Sequence, residues 1–204
     1  MAIRTKLFYK TLTTFLLGTF LTSQAMAAEP EEPVYTGWSW SGHAGTINFD
    51  SKTAYNEYID DSAWVIGIAA ERYSSASNLT FLIGLDYIGY SDDLPFDQYT
   101  TDGWKESEAS AAMAYVEFGP RIPFGVDNTN YFVAHAGLSG VLNSERSISY
   151  CSNCFSEDID ISGGLYGVLG VGHSFGGFDL GLQFQQYFSG DIDNSLRLRV
   201  SSSF

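Results

Sequence analysis

Positive charge is scarce in this chain. It carries 10 Lys and Arg against 24 Asp and Glu in 204 residues, a formal charge of -14. Nucleic-acid binding needs clustered cations to neutralise phosphates, so that partner class is excluded. Long apolar runs are also missing. The longest, Thr11 to Leu21, falls short of the ~20 residues a spanning helix needs. Cysteine is confined to Cys151 and Cys154, and proline to 5 positions. Charged residues of any sign make up only 17%. What replaces them is glycine, at 21 residues, and aromatics, at 16%. Such aromatic content excludes disorder, and the length suits one domain.

Arg4, Lys6 and Lys10 precede the apolar run, and Ala25-Met26-Ala27 follows it. A basic start, a short apolar stretch and a small-x-small site read as a secretory signal peptide over residues 1–27. No Cys follows the cleavage site, so a lipoprotein anchor has no attachment point. Residues 28–35, with Glu29-Pro30-Glu31-Glu32-Pro33, read as a short periplasmic leader. Three of the ten bases and none of the acids lie in the signal, so processing leaves 24 acids against 7 bases, or -17.

From residue 36 to 204 the dominant pattern is alternation. Phe178, Leu180, Leu182 and Phe184 face one way, and Asp179, Gly181, Gln183 and Gln185 the other. Period two means strands with two chemically different faces. Eight such segments are expected: Trp38–Thr46, Trp64–Tyr73, Leu79–Tyr87, Ser110–Arg121, Asn130–Leu142, Ile159–Val171, Phe178–Phe188 and Leu196–Phe204. Tight turns at Ser74–Ser77, Phe124–Asn128 and Gly176-Gly177 alternate with long polar loops at Asn48–Asp61, Ser91–Glu108 and Asn143–Asp158, and a shorter one at Ser189–Asn194. Even strand number with short and long connections on opposite ends is the signature of an outer-membrane barrel. A secreted sandwich or lipocalin-like barrel would instead put abundant Lys, Glu and Thr on its watery face. Here the polar parity is crowded with Gly67, Gly84, Gly119, Gly137, Gly170 and Gly172, with sparse charge. Small residues suit the inside of a narrow closed barrel. The expected fold is therefore all-β: an eight-stranded antiparallel transmembrane β-barrel with short periplasmic turns and longer extracellular loops.

The terminal strand places Leu196, Leu198, Val200 and Phe204 on one face. This resembles the C-terminal assembly signal of Gram-negative outer-membrane proteins. Together with Gly37-Trp38-Ser39-Trp40-Ser41-Gly42 and Gly177-Phe178-Asp179-Leu180-Gly181-Leu182, the layout resembles the transmembrane domain of outer-membrane protein A and the Ail/Lom/OmpX group of porin-like barrels. The resemblance implies residence in the outer membrane, contact with its lipid and lipopolysaccharide, and insertion by the barrel assembly machinery through the last strand.

Inward parity collects Glu71, Asp86, Glu117, Arg121, Asp179, Arg197 and Arg199, with His43 and His135. Charge in a low-dielectric lumen must be paired or wet. Two readings follow: a structural network that plugs the lumen, and a salt-bridge gate over a small pore. Eight strands leave little room for a channel, which favours the plug. Cys151 and Cys154 admit a redox, zinc or disulfide reading. The βαβ context and a second ligand pair are missing, and in an exported chain a loop disulfide is the ordinary outcome.

His173-Ser174 is followed by Phe175-Gly176-Gly177, a departure from the His-x-Ser-Asn pattern associated with lipid A deacylases, so no catalytic residues are expected. Sixteen of the acids fall in the loops, against Lys52, Lys105 and Arg146. Asp60, Asp61, Asp92 and Asp93 are candidates for divalent cations bridging to anionic lipid, without any EF-hand spacing. No cofactor is expected. The leading expectation is a monomeric, non-enzymatic barrel with a structural or surface-interaction role. The alternatives are a narrow pore for small or hydrophobic solutes and, behind it, a lipid A-modifying enzyme.

Overall fold

The computed structural model describes residues 36–100, 103–148 and 154–202. Cys151, Phe204 and the expected signal and leader lie outside the described residues. In chain order the elements are β1 (Thr36–Phe49), α1 (Ser51–Glu57), β2 (Ile59–Ser74), β3 (Leu79–Asp92), β4 (Asp97–Thr100), β5 (Gly103–Glu106), β6 (Glu108–Phe124), β7 (Asn130–Ser147), β8 (Ser156–Asp158), β9 (Leu165–Ser174), β10 (Phe178–Tyr187) and β11 (Ile192–Ser202).

Eight of the strands close on themselves. They run β6-β3-β2-β1-β11-β10-β9-β7, and β7 pairs back onto β6. Every pairing is antiparallel, and the first strand meets the last through contacts such as Ala44 opposite Leu198. Closure removes the open sheet edge that eight flat strands would leave unpaired. The short β8 adds to the free end of β7, and β4 and β5 form a separate hairpin.

Alternation decides what each face does. In β10, Phe178, Leu182 and Phe184 are exposed while Asp179, Gln183 and Gln185 are buried. In β11, Leu196, Leu198 and Val200 face out and Ser195, Arg197, Arg199 and Ser201 face in. The exterior is apolar and polar groups lie inside, the reverse of a water-soluble barrel.

Glycine on the inner face has a spatial reason. Gly84, Gly137 and Gly172 lie directly opposite Tyr115, Tyr166 and Tyr131 on neighbouring strands. A Cβ at any of them would collide with the tyrosine ring. Glycine thus leaves, in a narrow lumen, the space that each ring occupies. At one end, tight turns use Asn78 (φ 52°), Gly125 (φ 92°) and Gly176 (φ 79°). Gly and Asn tolerate this left-handed region best.

At the other end the strands outrun the expected boundaries. β3 continues to Asp92 and β7 to Ser147, and the first polar loop folds into α1. Asp50 caps α1 by accepting from the backbone N–H groups of Lys52 and Thr53. The loop expected over Ser91–Glu108 holds the β4–β5 hairpin.

One segment departs in kind. The expected strand Ile159–Val171 begins only at Leu165. Ile159 and Ile161 share the apolar parity of Leu165 and Leu169, yet they are buried inside, whereas Leu165 and Leu169 are exposed. The chain from 159 to 164 bends over the barrel mouth outside any strand and holds β7 at its two ends, where Ile159 N–H donates to Ser144 C=O and Gly164 C=O accepts from Ser139 N–H.

Candidate functional site: the lumen and its rim

From the turn end upward, the lumen is first ionic and then apolar. Nearest the turns, Arg121 of β6 pairs with Asp179 of β10 at 2.7 Å. Its guanidinium lies 3.8 Å from the centroid of the Tyr131 ring, and it also donates to Ser174. Above it, Arg199 pairs with Glu71 at 3.1 Å and donates to Ser41. This pair spans the closure, with β1 between the two strands that contribute it.

Two centres follow. Asp86 accepts from His43 Nε2 at 2.8 Å through one oxygen and pairs with Arg197 Nη2 at 2.8 Å through the other. Arg197 Nη1 also lies 3.2 Å from His43 Nε2, so the imidazole, the carboxylate and the guanidinium form one cluster. Glu117 accepts from Tyr166 Oη and Gln185 Nε2, each at 3.0 Å, and from His135 Nδ1 at 3.3 Å. These four carboxylates each have a partner on another strand, which is the condition for holding buried charge. A small cavity of ≈ 10 Å³ lies among Glu71, Arg121, His135, Gln183 and Arg199. It has room for about one water, not for a solute path.

The upper half of the lumen is apolar. Ile47, Phe49, Val65, Ile88, Met113 and Val168 are all at most 2% exposed and form one cluster. Ala54 of α1 and Ile159 and Ile161 of the bent segment join it from above. Tyr166 stacks on Tyr187 at 4.7 Å within the same cluster. An apolar barrier thus lies over an ionic one.

The mouth is held down by a residue that the expected loop boundaries obscured. Arg146, on the extended end of β7, is 3% exposed. It binds Asp92 Oδ2 at 2.6 Å, Glu157 Oε2 at 3.0 Å and the Glu57 carbonyl at 3.1 Å. One side chain therefore gathers β3, β8 and α1. The hydrogen bond to Asp92 leads the effects that hold its pKa above the ordinary arginine value. Asp191 ties the remaining corner, accepting from Ser162 and from Thr53 Oγ1 (2.9 Å). The single basic residue Arg146 was visible in the sequence. Its inward direction depends on a bulge at Leu142 of β7, the extra residue between the partners of Met113 and Ala112, which reverses the parity of the residues beyond it.

Of the cation candidates, Asp92 is engaged by Arg146 and by the Leu94 N–H, while Asp60, Asp61 and Asp93 are exposed. Among the described residues no group of three His, Cys, Asp or Glu is arranged to hold a metal. Leu196, Leu198 and Val200 line the outer face of the last strand. His173 and Ser174 do not act on each other: His173 Nδ1 meets Asn130 Oδ1 at 2.9 Å, and Ser174 accepts from Arg121. Among the described residues no cysteine is free. The expected Cys151–Cys154 pair involves Cys151, outside the described residues.

The pairings define the class: a closed, eight-stranded antiparallel barrel, apolar outside and packed within, the architecture of small outer-membrane barrels. No protein-family model matches the chain, and no curated protein matches it in sequence. Among solved structures it is similar to Neisserial surface protein A, with 14% identity and a TM-score of 0.48 over 82% of this chain and 96% of that one. It is also similar to Ail, the attachment invasion locus protein of Yersinia pestis, solved with the heparin analogue sucrose octasulfate. That match has 12% identity and a TM-score of 0.49 over 82% and 97% of the two chains. The beta domain of the Bordetella autotransporter BrkA follows, with 15% identity and a TM-score of 0.32 over 83% and 99%.

Proposed function

We propose that the protein is a sealed outer-membrane barrel that works through its rim, as a structural and surface-interaction component, and neither conducts solutes nor performs catalysis. The observation that carries this is the double closure of the lumen. Ion pairs from Arg121–Asp179 up to Asp86–Arg197 lie under an apolar plug from Val65 to Ile161. A polar solute would have to break buried pairs and then cross packed side chains. A hydrophobic one would meet the charges. His43 and His135 are engaged with carboxylates inside this packing, remote from any bulky substrate.

The exterior supports membrane insertion. Trp38 and Phe81 form an edge-to-face pair toward the turn end, and Trp64 and Tyr87 a tilted pair toward the loop end. Two levels of aromatics bracketing Ile66, Ile68, Ile83 and Leu85 match the girdles of a spanning barrel. In this reading residues 1–27 direct export and are removed, the turns face the periplasm and the loops the outside. The outer face of β11 contacts lipid after assembly through its terminal strand, and a Cys151–Cys154 disulfide braces the third loop.

Planar-bilayer recording of the refolded protein tests the reading. The expected trace stays at baseline, and also for Arg197→Ala, because the apolar plug remains. Discrete conductance steps from the unmodified protein would overturn it.

A further inference from the structure

The β4–β5 hairpin divides its residues by face. Cross-strand partners share a face, as do residues two apart on one strand. Asp97 opposes Glu106, and Tyr99 opposes Trp104, so these four lie on one face, and all four are exposed. Tyr99 and Trp104 are 70% and 73% exposed, with ring centroids 5.7 Å apart and planes at 72°. The opposite face carries Gln98 and Lys105, both half-buried. Gln98 Oε1 accepts from the Phe155 N–H at 3.0 Å, and Phe155 packs edge-on against Phe96 at 5.3 Å. The hairpin is thus fixed to the third loop by its back and presents two rings flanked by two carboxylates.

We infer that this face is a docking site for a Lys- or Arg-rich polypeptide segment, an assignment that rests on the surface-interaction reading above. Charge and ring chemistry point to the same occupant. An aromatic face attracts a cation through its quadrupole, and the flanking carboxylates supply the counter-charge. The surroundings repeat the sign. Arg146 is enclosed by its own partners, Lys105 lies on the other face, and Asp60, Asp61 and Asp93 stay exposed. The face is open and flat, so an isolated small cation gains little by desolvation, whereas an extended basic chain reaches further carboxylates along the rim and gains by multivalency. A bare membrane surface of anionic lipid is disfavoured by Asp97 and Glu106 beside the rings.

The test uses the full chain refolded in micelles and a fluorescent decalysine peptide, followed by anisotropy, with decaglutamate as the opposite probe. Three variants are compared, each checked for the folded gel band: Tyr99→Ala/Trp104→Ala, Asp97→Asn/Glu106→Gln and Asp60→Asn/Asp61→Asn. Decalysine is expected to bind with salt-sensitive affinity and decaglutamate not to bind. Both hairpin variants should lose roughly fivefold or more in affinity, and the Asp60/Asp61 variant clearly less. The amide variant leaves the Tyr99–Trp104 pair in place, so its loss separates a binding role from mere hairpin stability. Equal loss from both charge variants, or no loss from removing the rings, would overturn the site in favour of a diffuse acidic field. So would binding of decaglutamate, or no binding of decalysine. In any of these cases a flat bilayer trace would still uphold the sealed-barrel reading.

Discussion

Tyr166 has two tasks in the lumen. Its ring covers Gly137, and its hydroxyl donates to Glu117 at 3.0 Å. Gly137→Ala therefore forces a methyl group into the ring and disturbs the hydrogen bond as well. Overpacking of this kind costs about 1–3 kcal/mol. Urea unfolding in micelles is expected to show that loss, and a Tyr166→Ala background should largely cancel it, since the space is then free. Arg146 shows the complementary case of a residue whose removal strands its partners. Arg146→Ala leaves Asp92, whose side chain is only 7% exposed, without its cation. Glu157, at 56%, is rescued by water. With one buried and one wet partner the cost is about 3 kcal/mol. It is expected to appear as faster hydrogen exchange in residues 51–57 and 156–158 while the barrel strands stay protected. Both residues were visible in the sequence, but Glu117 could not be matched to His135, Tyr166 and Gln185, because that match depends on register across neighbouring strands and on reach across the lumen.

The strands were legible where their two faces differ most. β10 and β11 alternate almost without exception, since one side meets an apolar exterior and the other a charged interior. Legibility fails at the loop end, where the interior is itself apolar. There Ile159 and Ile161 carry the same pattern as an outward face, and alternation alone does not say which side is buried. The same ambiguity hid the upper plug, because Val65 and Ile88 share the parity of Gly67 and Asp86. The loops are likewise less free than their polarity suggests, being tied at Arg146 and Asp191. Burial raises the Asp191 pKa, but hydrogen bonds from Ser162 and Thr53 outweigh it and hold the carboxyl below the ordinary value of 3.8. A depressed folded-state pKa stabilises above the unfolded value and is lost as pH falls through the folded one. The corner between α1 and the last loop should therefore loosen only below about pH 3.8. Hydrogen exchange of residues 189–194 across an acid titration measures this, and Asp191→Asn should flatten the response.

At the scale of the molecule, scarcity of positive charge acquires a location. Arg121, Arg197 and Arg199 are inside, paired with carboxylates, and Arg146 is locked at the mouth. The exposed rim is left acidic, and the outer wall between the aromatic levels is apolar. A chain so arranged has no stable place in water: Trp40 is 69% exposed, and Leu165, Leu169 and Ile68 are each above 55%. The wall must therefore face lipid. Gel migration of the cell-envelope fraction, with and without boiling, tests this most directly. The expected result is recovery with the outer membrane and a compact, faster band that shifts only on boiling. Recovery as a soluble periplasmic protein, with one band under both conditions, would contradict it.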